Sequence, residues 1–129
     1  MSQSSKTNLQ FFPAERADAP YSSAVRTGNL LFLSGMLGTD SASQLAKGGI
    51  AAETRQTMEN IRAALQRYGS SFDQVVKVTV MLADIGEWQA MNDVYVTFFS
   101  THRPARSAFG ASGLARNGRV EIECIAVIP

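Results

Sequence analysis

The sequence has one cysteine, Cys124, and one histidine, His102. A lone cysteine closes no intramolecular disulfide, and this pair cannot assemble a Cys/His zinc site within one chain, so disulfide scaffolds and structural zinc modules are excluded. Charge of one sign is missing too. Twelve Lys and Arg stand against eleven Asp and Glu, a net charge of +1, far from the excess of a dedicated nucleic-acid or anionic-membrane binder. No run approaches the roughly 18 apolar residues that span a bilayer. The polar start from Met1 to Asn8 lacks the apolar stretch of a secretory signal, so a protein of the reducing cytoplasm is expected. The patterns G-x-S-x-G, P-loop, H-E-x-x-H and G-x-G-x-x-G are all absent, and any chemistry must use other groups.

What the chain does have is patterning. Its 129 residues, 45% of them hydrophobic, suit one core, since domains hold roughly 100–200 residues; residues 1–129 are expected to form a single domain, with 1–6 frayed. Asn8 to Phe12 reads as a short strand before Pro13, and Glu15 to Pro20 as loop. Ser22 to Arg26 and Asn29 to Leu33 flank Thr27-Gly28 as a hairpin. Ser34-Gly35 ends the apolar run, and Leu37 to Gly49, rich in Gly and Ser, reads as an exposed loop, either lid or connector.

Met58, Ile61, Leu65 and Tyr68 recur at intervals of three and four, which predicts an amphipathic helix from Ile50 to Tyr68, with Glu53, Arg55, Glu59, Arg62 and Arg67 on its other faces. Val75 to Ala83 alternates as a strand, with Val76, Val78, Val80 and Leu82 on one face and Val75, Lys77, Thr79 and Met81 on the other. Trp88, Met91, Tyr95 and Phe98 predict a second helix between Glu87 and Ser100, which Pro104 keeps from running on. Strands at Arg106 to Ala111 and Arg119 to Val127 complete the order β-β-β-α-β-α-β-β. This is an α+β chain, with a mixed sheet of about six strands and two helices on one face. Both faces of the central strand are apolar, as is the end of the last strand, so the uncovered face predicts subunit association with ligand sites where subunits meet. A sheet curled on itself is the alternative.

Between Val94 and Val120 the chain carries Arg103, Arg106, Arg116 and Arg119; for all but Arg106, a solvated rim is the competing reading. Arg106 enters a strand after Pro104-Ala105 and is followed by the small Ser107 and Ala108, which leaves room for its planar fork to grip a carboxylate. Glu121 and Glu123 share a strand face with Ile125 and Val127, an apolar setting in which a carboxyl pKa rises toward the range useful for moving protons. An ion pair between Arg106 and Glu121 or Glu123 would use the same residues structurally. Cys124 alternates with Ile122 and Ala126 and reads as packing.

Arg103-Pro-Ala-Arg-Ser107 and Gly118-Arg-Val-Glu-Ile-Glu-Cys-Ile-Ala-Val127, preceded by Ala19-Pro-Tyr-Ser22, Gly28-Asn29, Ser34-Gly35 and Asn92-Asp-Val-Tyr-Val-Thr-Phe-Phe99, closely resemble the motifs of the RidA/YjgF family of reactive-intermediate deaminases. The match runs from about residue 19 to 127. The resemblance implies a chorismate-mutase-like α+β subunit, a homotrimer with clefts between subunits, and hydrolysis of 2-imino acids such as 2-iminopropanoate and 2-iminobutanoate to 2-oxo acids and ammonia. It implies no metal or organic cofactor. Residue by residue, it implies that Arg106 clamps the substrate carboxylate, that Glu121 positions or activates water, and that Tyr21, Ser34, Gly35 and Asn92 line the cleft. Ala108 stands where some deaminating members carry cysteine, Met36 and Gly38 where Gln and Pro are frequent, and Leu114-Ala115 where Leu-Pro is usual. Endoribonuclease activity, attributed to some members, and non-catalytic sensing of 2-oxo or amino acids are the competing functions. The first is weakened by the missing basic excess and aromatic interleaving.

Overall fold

In the computed structural model, which describes residues 8–129, the major elements follow the expected order; the segment expected to fray, 1–6, lies outside the described residues. The strands are β1 (Leu9–Pro13), β2 (Ser22–Thr27), β3 (Leu30–Leu37), β4 (Val75–Leu82), β5 (Ala105–Gly110) and β6 (Val120–Val127). The helices are α1 (Ile50–Arg67) and α2 (Trp88–Tyr95). The strands form one sheet in the order β1-β2-β3-β6-β4-β5. Only β4 and β5 run parallel, joined through α2, and all other pairs are antiparallel.

Local chemistry explains most of this. Thr27 pairs with Leu30, which leaves Gly28 and Asn29 as a two-residue turn, and Gly28 adopts φ 59°, a conformation free of steric cost only for glycine. In α1 the spacing of Met58, Ile61 and Leu65 puts all three in the core. They meet Leu31, Val80, Leu82, Val120 and Ile122 on the inner face of the sheet. Each such fully buried aliphatic side chain contributes roughly 1.5–3 kcal/mol.

Four details depart from expectation. The strand expected at Asn29 to Leu33 continues through Ser34-Gly35, so β3 ends only at Leu37. In β4, Val75 pairs with Ala126 and Lys77 with Ile125, so a bulge inserts one extra residue. It turns Val75 inward beside Val78, Val80 and Leu82 and leaves Val76 exposed, the reverse of simple alternation. Glu53, expected on a polar face of α1, is 5% exposed; its carboxylate accepts the Arg119 backbone N–H at 2.9 Å. Regular α2 stops at Tyr95 and continues as one 3-10 turn, Val96–Phe98, so Phe99 rather than Phe98 joins the buried core.

The helices cover one face only. On the other face the strand register lines up three rows: Phe11, Val25, Phe32, Ile125 and Lys77; then Glu123, Thr79 and Ser107; then Glu121, Met81 and Phe109. Phe11, Phe32 and Phe109 are exposed there. Loop 38–49 is fastened rather than loose. Asn60 of α1 donates to the Leu37 and Thr39 carbonyls at 3.0 and 2.9 Å, and the Asp40 carboxylate accepts from the Ala42 and Gln44 backbone. Among the described residues no helix is long and apolar enough to cross a membrane.

Candidate active site

Arg106 lies on the edge strand β5, opposite Val78 of β4, and its side chain rises on the inner, helix-covered side. There α2 receives it. Arg106 Nη1 donates to Asn92 Oδ1 at 2.6 Å, and the guanidinium carbon stands over the rings of Tyr95 and Trp88, 4.9 and 5.5 Å from their centroids. No carboxylate pairs with it among the described residues. The structural ion pair with Glu121 or Glu123 is therefore not formed within the chain. Arg106, Asn92, Tyr95, Gln89, Asp93 and Arg103 border a cavity of about 380 Å³. Ala108 follows on the same side of β5, packed against the core and lining neither this cavity nor the larger one.

Glu121 belongs to the opposite face. Its neighbours Val120 and Ile122 are buried beneath the helices, so the alternation of β6 sends Glu121 outward. A second bulge matters here. Leu33 pairs with Cys124 and Met36 with Ile122, which leaves Ser34-Gly35 one residue in excess. The Glu121 carboxylate lies against Gly35, in the space a Cβ would need. Burial, then the nearby charge of Glu123, push the Glu121 carboxyl above its ordinary range. Tyr21, Ser34, Gly35 and Glu121 border one cavity of about 720 Å³, which also draws on Asn60 and Arg116. Ser34 Oγ meanwhile donates to the Ser22 carbonyl at 2.6 Å, anchoring the bulge to β2.

The site residues expected from the sequence thus divide into two groups. Arg106 and Asn92 meet directly; Tyr21, Ser34, Gly35 and Glu121 meet around the larger cavity; the two groups share no lining residue. Asn92 is no free surface amide, being the hydrogen-bond partner of Arg106. Sequence reasoning missed Trp88 and Tyr95 as partners of Arg106. Their spacing with Asn92, at i, i+4 and i+7, is a usable signal, but the reading of this helix rests on Trp88, Met91, Tyr95 and Phe98 instead. It also missed that Arg119 is taken up by Glu53 and by Glu87, whose carboxylate it meets at 2.9 Å. Burial pushes the Cys124 thiol up to about 12, helped by Glu123, which suits packing rather than nucleophilic work. Among the described residues no group of three or more His, Cys, Asp or Glu is placed to hold a metal ion.

Comparison with known proteins gives the same outline. The 2-iminobutanoate/2-iminopropanoate deaminase of goat is 47% identical over 115 residues, covering 88% of this chain and 84% of the relative. The RidA structure from an Antarctic Psychrobacter species superposes with a TM-score of 0.82 at 37% identity, covering 95% of this chain and all of that one. Yeast Mmf1 superposes at 0.86 with 33% identity and the same coverage. The family described as Endoribonuclease L-PSP matches residues 13–128. With sequence, fold and motif order in agreement, the chain belongs to this RidA/YjgF family.

Proposed function

We propose that this protein hydrolyses small 2-imino acids, adding water and releasing a 2-oxo acid and ammonia, in clefts shared between the subunits of a homotrimer. One observation carries the reading: Arg106 and Glu121 lie on opposite faces of the same sheet. A carboxylate clamp and a proton-handling acid that cannot meet within one chain meet only across a subunit boundary. The exposed rows around Phe11, Phe32 and Phe109 supply the apolar surface for that boundary. Relatives named 2-iminobutanoate/2-iminopropanoate deaminase support the substrate class.

In this mechanism Arg106 binds the substrate carboxylate through paired N–H donors and so orients the imine carbon. Asn92 holds the guanidinium, while Tyr21, Ser34 and Gly35 from the neighbouring subunit wall the cleft. Glu121, its pKa raised, accepts a proton as water adds to the imine carbon and returns it to the departing nitrogen. The imine is already electrophilic, so orientation and one placed proton carrier account for a modest acceleration, and no metal or organic cofactor is invoked. A cytoplasmic location is part of the same reading, supported by a single buried cysteine that needs no oxidising compartment. The nuclease alternative is weaker, because Arg119 is neutralised by two glutamates and Arg106 is stacked on aromatic rings.

Mixed trimers test the shared cleft. Arg106→Ala and Glu121→Ala each remove one half, and both are expected to be nearly inactive alone in an assay coupling an amino-acid oxidase to 2-oxo acid release. Random co-assembly restores both halves in about a quarter of the clefts, so about that share of activity should return. No recovery on mixing, with both variants trimeric, sinks the shared cleft. Saturable 2-oxo acid binding by the wild type without turnover would make the protein a sensor.

A further inference from the structure

We infer that Trp88 and Tyr95 are positioning residues for the Arg106 guanidinium, an aromatic shelf that sets how tightly the substrate carboxylate is held. The inference rests on the reading of Arg106 as the carboxylate clamp and adds to it two residues to which the resemblance assigns no role.

The sequence places Trp88, Asn92 and Tyr95 at i, i+4 and i+7 of α2, which puts all three on one stripe of the helix. That stripe faces Arg106. Asn92 takes one N–H at 2.6 Å, while the two rings lie 5.5 and 4.9 Å from the guanidinium carbon, within the distance at which an aromatic face attracts a cation. Arginine has five N–H donors, and Asn92 uses one of them. The chemical character of these partners matters. A carboxylate partner would have to be displaced by the substrate, whereas an amide oxygen and two ring faces fix the fork and leave its positive charge for an incoming anion.

The two rings differ in burial. Tyr95 is 5% exposed and stacks on Phe99 in the core, so it forms a fixed floor. Trp88 is 40% exposed at the first position of α2 and forms the side toward solvent. Without the shelf, Arg106 would hold one hydrogen bond and rotate about its long side chain, and the ordering would have to be supplied when substrate binds. The predicted effect is therefore on affinity, with the bond-making step left intact.

Trp88 is the only tryptophan in the chain, so its fluorescence reports directly on the shelf. In the wild type, 2-oxobutanoate should change the emission saturably, and Arg106→Ala should abolish that change. Trp88→Leu keeps apolar bulk but removes the ring face; KM for 2-iminobutanoate and Kd for 2-oxobutanoate should each rise about three- to tenfold, with kcat within about twofold. Trp88→Phe restores a ring face and should recover most of the affinity, which a purely structural role does not require. Melting curves confirm that each variant is folded. Wild-type KM and Kd in Trp88→Leu, together with lost binding in Arg106→Ala, overturn the shelf and leave the clamp standing. Wild-type binding by Arg106→Ala overturns both. Emission that ignores saturating 2-oxobutanoate also overturns the shelf, even if a Trp88 variant fails to fold.

Discussion

The two halves of the candidate site hold their key residues by different means. Arg106 is gripped by side chains: one amide and two rings, all from a single stripe of α2. Glu121 is placed by backbone, through the alternation of β6 and the bulge that brings Gly35 beneath its carboxylate, and no side chain donates a hydrogen bond to it among the described residues. The contrast fits the chemistry proposed for each group. A guanidinium stays charged in any setting and needs only direction, whereas a carboxyl group becomes a useful proton carrier when its surroundings make ionisation costly. Donors around Glu121 would stabilise its charged form and lower its pKa again. Glu121 is left with burial, and with Glu123 two residues away, both of which push the pKa up.

The largest effect should come from breaking the gripped half. Arg106→Ala is expected to lose at least about a hundredfold in kcat/KM for 2-iminobutanoate. Arg106→Lys keeps the charge without the fork and should lose at least about tenfold, or roughly 1.4 kcal/mol. A lysine variant with wild-type efficiency would show that charge alone suffices and that the α2 stripe is incidental.

On the backbone-placed half, Glu121→Gln should lower kcat by about ten- to a hundredfold with a smaller change in KM, while Glu123→Gln does much less. The reverse order would move the acid role to the exposed residue. Gly35→Ala inserts a methyl group where the Glu121 carboxylate lies. It should reduce kcat about tenfold while leaving binding at the Arg106 half near normal, as isothermal titration with a 2-oxo acid would reveal.

A smaller and more telling effect lies in pH. If Glu121 accepts the proton, activity falls as pH drops through its raised pKa, and removing the Glu123 charge lowers that pKa. The acidic limb of the Glu123→Gln profile should then shift to lower pH. Stability moves the other way. A carboxyl whose pKa is higher folded than unfolded binds protons preferentially in the native state, so wild-type stability falls as pH rises through that window. Glu121→Gln should therefore melt above the wild type at neutral pH and lose the advantage below the ordinary carboxyl range. The smallest change is expected for Cys124→Ala: activity within about twofold and a stability loss of about 1 kcal/mol, because the buried thiol lines neither cavity. Loss of turnover in a folded Cys124 variant would call for a different mechanism.

Much of this was legible before the structure. The α1 stripe of Met58, Ile61 and Leu65, the hairpin at Gly28 and the element order follow from periodicity and turn chemistry, which are local properties of the chain. Arg106 could be singled out from its sequence context, and Glu121 by alternation along β6. The errors share a cause. Val76 reads as sharing a face with Val78, Val80 and Leu82 because a two-residue period assumes an unbroken ladder, and the bulge opposite Ala126 breaks it. Glu53 was placed on a polar face because its partner, the Arg119 amide, lies 66 positions along the chain. Trp88 counts only toward the α2 periodicity, because regular spacing identifies a helical stripe without saying what lies against it.

By itself, then, the sequence determined which segments become helix or strand, which stripe of α1 faces the core, and which residues carry the motifs of the family. Those properties depend on residues within a turn or two of one another, or on a motif order that survives in the string. Tertiary structure decided the rest: the bulge that sets Gly35 under Glu121, the α2 stripe that receives Arg106, and the separation of Arg106 and Glu121 onto opposite faces of one sheet. Each depends on strand register between segments far apart in the chain, and a one-residue shift in register moves a side chain to the other face.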